Sequence, residues 1–270
     1  ELIIWPESSY PYAFHREMER DWPAGDPRQI MNGLNVPMLF GTVTRGAGDR
    51  FPHNSAFMME PDGRITRKFD KTFLMIFGEY IPYYDTFSWF EEIFPEAGQF
   101  AAGETVTTFD YKGYRLAPMI CLEDIVPAFG RRLAKLKPHL LVNITNDAWF
   151  GATSEPWEHM ALSVYRAVEM RTGLVRAVNT GVSVLVDATG RVRQETRAVD
   201  PVKTPGVKPD TLLGDMALME GGGTVYAAVG DLFGYLNLGT LLLLLFWRKK
   251  SESGSKARPH PRGKKKHHSR

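Results

Sequence analysis

The chain has 270 residues, 43% of them hydrophobic, and a formal net charge of +2. This hydrophobic content suffices for one sizeable core or two small ones. Cys121 is the single cysteine, which excludes an internal disulfide, and no histidine stands at a zinc-like spacing from it, so neither a metal site nor a cofactor is predicted.

The basic residues are concentrated at the C-terminal end. Residues 248–270 contain ten lysines or arginines and one acidic residue, whereas residues 1–247 are net acidic. A basic tail with few apolar residues is typical of a disordered segment. Because the rest of the chain is acidic, nucleic-acid binding is not predicted, and anionic lipid headgroups are the expected partner of the tail.

Apolar runs and turn signals predict the strands. Residues 2–5, 36–44 and 139–146 are nearly continuous apolar runs, which is typical of strands buried on both faces. Turn signals at residues 61–63 and 112–113 each separate two strand-like arms and predict two hairpins. Hairpins beside such strands indicate a mixed sheet rather than a purely parallel one.

Two amphipathic helices are expected between the strands, which places the chain in the α/β class. The first covers residues 126–138 and ends at a proline. The second covers residues 155–173, and its spacing places Trp157, Met160 and Val164 on one buried face.

The C-terminal part predicts a membrane anchor. Residues 1–222 are expected to form a folded domain that ends in an irregular linker. Residues 223–247 are mostly apolar, include five consecutive leucines and run directly into basic residues, which predicts a transmembrane helix followed by a cytoplasmic tail at 248–270. A buried core helix is the alternative. Since the chain starts without an initiator methionine, we expect an N-terminal portion, including a first strand and helix of the domain, to be missing.

Three residues that follow predicted strands are candidates for catalysis. Glu7, Lys71 and Cys121 supply a base, a cation and a thiol nucleophile, and catalytic groups gather at strand ends in layered α/β domains. The backbone N–H of Leu122 adds a donor for an oxyanion. Each residue also has a structural interpretation, because a lone cysteine is often a buried hydrophobe and a lone glutamate or lysine is often a surface charge.

Four motifs carry a resemblance to a known family: WPES, FDKTFLMIFGEYIP, ICLED and the segment 146–190, which begins NDAWFG. They stand in the order of the Glu–Lys–Cys triad of the nitrilase superfamily, and within it the chain most resembles the apolipoprotein N-acyltransferases. The resemblance implies a nitrilase-like four-layer α-β-β-α sandwich as the catalytic domain, followed by one C-terminal transmembrane helix.

The resemblance also implies roles for individual residues. Glu7 is expected to be the general base, Lys71 to stabilise the oxyanion and Cys121 to carry the acyl group. Glu79 is expected to orient the lysine, and Glu123 to be a further essential carboxylate near the site.

Other positions bear on substrate contact. Trp149 resembles an aromatic residue that lines the pocket. The family commonly has His-Leu-Val-Pro before FGEY, where residues 72–76 read TFLMI, and often has tyrosine where Leu122 stands. Neither departure removes a triad group. The aromatic-rich segment 73–100 is expected to be either core or a lid that dips into a membrane surface.

The implied activity is transfer of a fatty acyl chain through a cysteine thioester. The expected donor is a phospholipid, phosphatidylethanolamine, and the acceptor is the N-terminal amine of S-diacylglyceryl-cysteine in apolipoproteins. The implied location is the bacterial inner membrane, with the catalytic domain in the periplasm. The alternatives are a nitrilase-superfamily amidase acting on small carbon–nitrogen substrates and an inactive, membrane-tethered binding domain.

Overall fold

The computed structural model describes the chain except for residues 13, 85, 87–88, 94–97, 152, 197–209 and 256–270. The chain divides into two compact units, Glu1–Ala228 and Val229–Arg270. The first unit contains two β-sheets and the candidate site. The second unit consists, in its described part, mainly of one helix.

The first sheet has the strand order β1-β3-β4-β5, with β2 beside β3. Its strands are β1 (Ile3–Ile4), β2 (Phe14–His15), β3 (Met38–Arg45), β4 (His53–Met59) and β5 (Ile65–Asp70). Both β1 and β2 run parallel to β3, whereas β3, β4 and β5 are antiparallel. The hairpin predicted at residues 61–63 is confirmed as the connection between β4 and β5.

The second sheet has the order β11-β10-β9-β8-β7-β6. Its strands are β6 (Phe109–Tyr111), β7 (Tyr114–Ile120), β8 (Leu140–Asn146), β9 (Gly173–Asn179), β10 (Val184–Val186) and β11 (Val192–Glu195). The central strands β7, β8 and β9 are parallel and the edge pairs are antiparallel, so the predicted mixed sheet is confirmed. The hairpin predicted at residues 112–113 joins β6 to β7.

The helices are α1 (Phe90–Ile93), α2 (Pro127–Ala134), α3 (Glu155–Met170), α4 (Val225–Val229) and α5 (Leu232–Ser255). Two 3-10 turns, Cys121–Ile125 and Asp147–Phe150, follow β7 and β8 directly. The parallel strands therefore end at the same edge of the sheet, and both turns lie at that edge.

The two sheets share one hydrophobic core. Leu39 and Met58 from the first sheet and Leu116 and Ile144 from the second are completely buried in it, together with Phe129 of α2. Side chains that alternate with these along β3 and β4 point to the opposite face of the first sheet and form a second cluster, because successive strand residues face opposite ways. In the described residues an irregular segment, not a helix, covers that cluster, where the four-layer sandwich predicts helices.

Helix α3 buries the predicted face only in part. Met160 and Val164 pack against the main core, but Trp157 is 42% exposed, whereas His159 and Arg166 are 2% and 3% exposed. The prediction was wrong for Trp157 because it placed apolar residues inward by spacing alone. The charge of His159 is paired with carboxylates on neighbouring elements, and the charge of Arg166 is paired within α3 itself.

In the second unit, the large apolar side chains of α5 from Leu232 to Trp247 are all about half exposed or more. Among the described helices, none combines the length and the apolar character that a membrane crossing needs. The span predicted at residues 223–247 is therefore not confirmed. Residues 248–255 of the predicted tail continue α5, and the rest of the tail lies outside the described residues.

Gly41 of β3 allows the chain near Glu7 to pack closely on the sheet. A Cβ atom at position 41 would lie 2.7 Å from Ile144 Cδ1, 2.9 Å from Glu7 Cα and 3.1 Å from the Pro6 carbonyl oxygen. We expect Gly41→Ala to lower the free energy of unfolding by about 1–3 kcal/mol, because the extra methyl group overpacks this contact. Urea denaturation measures the change.

The matched control is Gly223→Ala. A Cβ atom at position 223 would have nothing within 4 Å, and the residue is exposed. Its free energy of unfolding should stay close to the wild-type value, and equal stability of the two variants would contradict the packing account.

Candidate active site

Three buried ionisable side chains converge from different strands. Glu7 follows β1, Lys71 directly follows β5 and Cys121 directly follows β7. They are 6%, 1% and 8% exposed, and Lys71 interacts electrostatically with both Glu7 and Cys121. The structure therefore brings together the three residues that the sequence proposes as base, cation and nucleophile.

The Lys71 ammonium is held by Glu79. Its Nζ atom lies 2.8 Å from Glu79 Oε1 and 2.7 Å from Oε2, and the backbone N–H of Met75 donates to the same carboxylate at 2.8 Å. Burial opposes the charge of this ammonium, but the surrounding negative groups, Cys121 first and then Glu7, outweigh burial and raise the pKa of Lys71. The lysine therefore stays charged throughout the neutral pH range.

Asn54 of β4 bridges the two glutamates. Its Nδ2 donates to Glu7 Oε1 at 2.5 Å and to Glu79 Oε1 at 3.2 Å, and its backbone oxygen accepts the Lys71 N–H at 2.8 Å. Burial raises the pKa of Glu7, although the charge of Lys71 and the hydrogen bonds from Asn54 and from the backbone of Asn146 act in the opposite direction. A carboxylate with a raised pKa is a better proton acceptor than an exposed one.

Cys121 begins the first 3-10 turn with a left-handed backbone. Its φ angle is +52°, which is uncommon for a residue with a side chain and is typical of functional turns. The Asn143 side chain donates to the Cys121 carbonyl oxygen at 3.1 Å. This contact helps to hold the strained turn in place.

Burial and the Glu7 charge keep the Cys121 thiol protonated. Burial raises the pKa of the Cys121 thiol to about 12, and the Glu7 charge raises it further while Lys71 opposes both. Loss of the thiol proton to water would add a negative charge to a buried site, which burial penalises. Transfer of that proton to Glu7 would add no charge to the site and would leave the thiolate beside Lys71.

Glu123 joins the loop after Lys71 to the turn that carries Cys121. Its Oε1 accepts the backbone N–H groups of Thr72 at 2.7 Å and Phe73 at 3.1 Å, and its Oε2 accepts the Ile120 N–H at 2.9 Å. The side chain is completely buried. Its oxygens are thus engaged by backbone donors on both segments, which identifies it as a positioning residue.

The remaining predicted residues lie at the edge of this group. Leu122 is in the Cys121 turn, and its side chain packs against the main core. Trp149 is in the second 3-10 turn and is 70% exposed, so it is not part of the buried group.

Sequence reasoning missed Asn54 and Asn143. Each is a buried polar residue within a strand that is buried along all or nearly all of its length. A buried polar side chain needs a hydrogen-bonding partner, so polar residues inside apolar runs were the available signal.

A carbon-nitrogen hydrolase family model matches residues 1–198. The chain belongs to the carbon-nitrogen hydrolase family. Its two sheets are those of a nitrilase-like α/β fold. The chain is also 32% identical over 255 residues to an apolipoprotein N-acyltransferase of Geobacter metallireducens, covering 93% of this chain and 47% of that protein.

Other relatives carry the same name. An apolipoprotein N-acyltransferase of Bradyrhizobium diazoefficiens is 31% identical, covering 85% of this chain and 42% of that protein. This carbon-nitrogen hydrolase chain thus spans about half the length of the curated relatives it matches. Solved structures include an amidase from Nesterenkonia sp. AN1, with 20% identity, a TM-score of 0.46, and coverage of 61% of this chain and 58% of that one.

Glu123 should make the stability of this carbon-nitrogen hydrolase depend on pH. Burial raises its pKa to about 7, from 4.5, against the hydrogen bonds from Ile120 and Thr72. Because the folded state binds the Glu123 proton more tightly than the unfolded state does, this protonation stabilises the fold. The contribution is fully present below the unfolded-state pKa of Glu123 and is lost as the pH rises through its folded-state pKa. Glu123→Gln should therefore flatten the decline in the free energy of unfolding between pH 4.5 and about pH 7.

Urea denaturation across this pH range measures the effect. Glu104→Gln, which changes an exposed glutamate, is the control and should keep the wild-type slope. A wild-type slope in Glu123→Gln would show that Glu123 stays ionised in the folded protein.

Proposed function

We propose that the chain is the catalytic portion of an apolipoprotein N-acyltransferase. It would move a fatty acyl chain from a phospholipid, phosphatidylethanolamine, to the N-terminal amine of S-diacylglyceryl-cysteine in apolipoproteins. The observation that carries the proposal is the buried convergence of Glu7, Lys71 and Cys121, which brings a carboxylate, a fixed ammonium and a thiol together. The names of its relatives support the substrate class.

The first step forms a thioester. Glu7 takes the Cys121 proton, and the thiolate attacks the ester carbonyl carbon of the phospholipid. The Lys71 ammonium and the backbone N–H of Leu122 stabilise the oxyanion. The carbon–oxygen bond then breaks, and the proton on Glu7 passes to the oxygen of the departing lysophospholipid.

The second step forms an amide. The free amine of the lipoprotein attacks the thioester carbonyl carbon, and Glu7 accepts the amine proton. The carbon–sulfur bond breaks, and that proton returns to the Cys121 sulfur, which restores the starting state. Covalent relay of this kind predicts ping-pong kinetics.

Exposed apolar side chains beside the site support a lipid substrate. The segment that follows Lys71 exposes about half or more of five large apolar or aromatic side chains: Phe73, Ile76, Phe77, Tyr83 and Trp89. Aromatic residues of this kind are favoured at membrane surfaces. Phe87, Phe94 and the side chain of Phe90, which belong to the same predicted lid, lie outside the described residues. Exposed Trp149 would contact the acyl chain.

The apolar helix α5 supports a membrane location. Its exposed face is rich in leucine, whereas the outer face of an ordinary surface helix in a soluble protein carries charged and polar residues. As part of the same proposal, this segment would anchor the protein in the bacterial inner membrane, with the catalytic domain in the periplasm and the basic tail in the cytoplasm.

Mass spectrometry of the full-length protein after exposure to phosphatidylethanolamine tests the proposal. The peptide that contains Cys121 should gain a fatty-acyl mass. Glu7→Gln and Lys71→Met should acylate at least about a hundredfold more slowly, because each removes a group that stabilises the transition state. Lys135→Met, which changes an exposed lysine, is the matched control and should acylate at the wild-type rate.

The amidase alternative gives a different result. Turnover of a small amide without any acyl mass on Cys121 would overturn the acyltransferase proposal in favour of hydrolysis.

A further inference from the structure

Asn54 lies between the two glutamates that face Lys71, and the proposed reaction gives it no role. It belongs to strand β4 and is 4% exposed. Its Nδ2 atom lies 2.5 Å from Glu7 Oε1 and 3.2 Å from Glu79 Oε1. One side chain therefore contacts both the proposed base and the carboxylate that holds the ammonium.

These two contacts fix the orientation of the Asn54 amide. An ionised carboxylate only accepts hydrogen bonds, so the atom that faces both glutamates must be the nitrogen, which carries two hydrogens. Each glutamate then receives one of them. If the amide were turned over, its oxygen would face two carboxylates, and both would lose this donor.

The side-chain oxygen of Asn54 is left unsatisfied by this orientation. Oδ1 is buried, and within the part of the chain that the structure describes it has no hydrogen-bond partner. A buried polar atom without a partner is destabilising. The orientation thus serves the two glutamates rather than the asparagine, which indicates a role in the site.

The backbone around Asn54 and Glu7 is fixed independently of these side-chain contacts. The main-chain oxygen of Asn54 accepts the Lys71 N–H at 2.8 Å, which joins β4 to the segment that carries the ammonium. The chain at Glu7 packs closely on β3, where a Cβ atom at Gly41 would lie 2.9 Å from Glu7 Cα. With both backbones held, the bond from Asn54 can orient the Glu7 carboxylate.

The charges near Glu7 explain why this carboxylate needs a donor. Lys71 and Glu79 act on it electrostatically, and it acts in turn on the Cys121 thiol. Burial raises the pKa of Glu7 and the Glu79 charge adds to this, whereas the Lys71 charge and the Asn54 hydrogen bond lower it. Glu7 can accept a proton only while it is ionised, so a further rise in its pKa would work against its role as base.

We propose that Asn54 is a positioning residue that orients the Glu7 carboxylate and keeps it ionised, so that it can accept the Cys121 proton. The inference rests on the proposed roles of Glu7 and Cys121. Asn54 forms and breaks no covalent bond. It acts through Glu7, because two neighbouring carboxylates that each receive a hydrogen bond are less prone to take up a proton.

The pH profile of Cys121 alkylation by iodoacetamide, followed on the Cys121 peptide by mass spectrometry, tests this inference in the full-length protein. The wild-type rate should fall from its plateau on the acid side, where Glu7 becomes protonated. Asn54→Leu should move this fall upward by about one pH unit, because the charged form of Glu7 loses a hydrogen bond. Its plateau should be about tenfold higher than that of the wild type, because a more basic Glu7 takes the thiol proton more completely.

A purely structural role for Asn54 predicts a different profile. A loosened site would lower the rate at every pH, and the acid-side fall would stay at the wild-type pH. The matched control is Ser55→Ala, which removes a buried hydroxyl of the same strand that contacts Thr44 and Asp70. Its fall should also stay at the wild-type pH.

Asn54→Asp keeps the test decisive if Asn54→Leu fails to fold, as circular dichroism would report. Aspartate has the shape of asparagine but supplies at most one hydrogen for two glutamates, so the fall should again move upward. A fall at the wild-type pH in a folded variant overturns the inference.

Failure of the inference and failure of the proposed function give different results. A wild-type profile without a plateau overturns the inference, because Glu7 would then not be the proton acceptor. Alkylation needs no lipid. A wild-type protein that shows the plateau but gains no acyl mass would contradict the proposed acyl transfer, while the shift in Asn54→Leu would still support the role of Asn54.

Discussion

The Lys71 ammonium lies within 2.8 Å of both carboxylate oxygens of Glu79 and is 1% exposed. A charge buried this deeply is stable only among groups of opposite sign, so the surrounding positions must carry carboxylates or ionisable groups. Glu79 supplies the nearest counter-charge. Glu7 and Cys121 also act electrostatically on the ammonium. The chemistry proposed for the site follows from this arrangement, because a thiolate formed by proton transfer to Glu7 would lie beside a fixed positive charge.

The two acidic residues after Cys121 anchor its turn in opposite directions. Glu123 accepts backbone N–H groups from the loop after Lys71, whereas Asp124 is paired with His159 and Arg176 behind the turn. One anchor therefore fixes the sulfur relative to the ammonium, and the other fixes it relative to the second sheet and α3. A left-handed residue at the start of the turn is tolerated because both sides are held.

Much of the fold could be predicted because strands buried on both faces leave an unmistakable apolar run, and hairpin turns demand particular residues. The cluster of Glu7, Lys71 and Cys121 could be predicted in outline because each of these residues follows a predicted strand. The burial of His159 on α3 could not, since it depends on ion pairs with residues distant in sequence. Asn54 was missed for a related reason: the two glutamates that it bridges are distant in sequence and meet only in the folded chain.

The most direct test of the proposed proton transfer from Cys121 to Glu7 is the pH dependence of Cys121 alkylation in the wild-type protein and in Glu7→Gln. When Glu7 receives the proton, thiolate formation does not change the number of bound protons, so the wild-type rate should form a plateau across the neutral range. In Glu7→Gln the proton must go to water, and the rate should rise about tenfold per pH unit. A wild-type rate that rises with the same slope as the variant would contradict the account, because Glu7 would then not be the acceptor of the thiol proton.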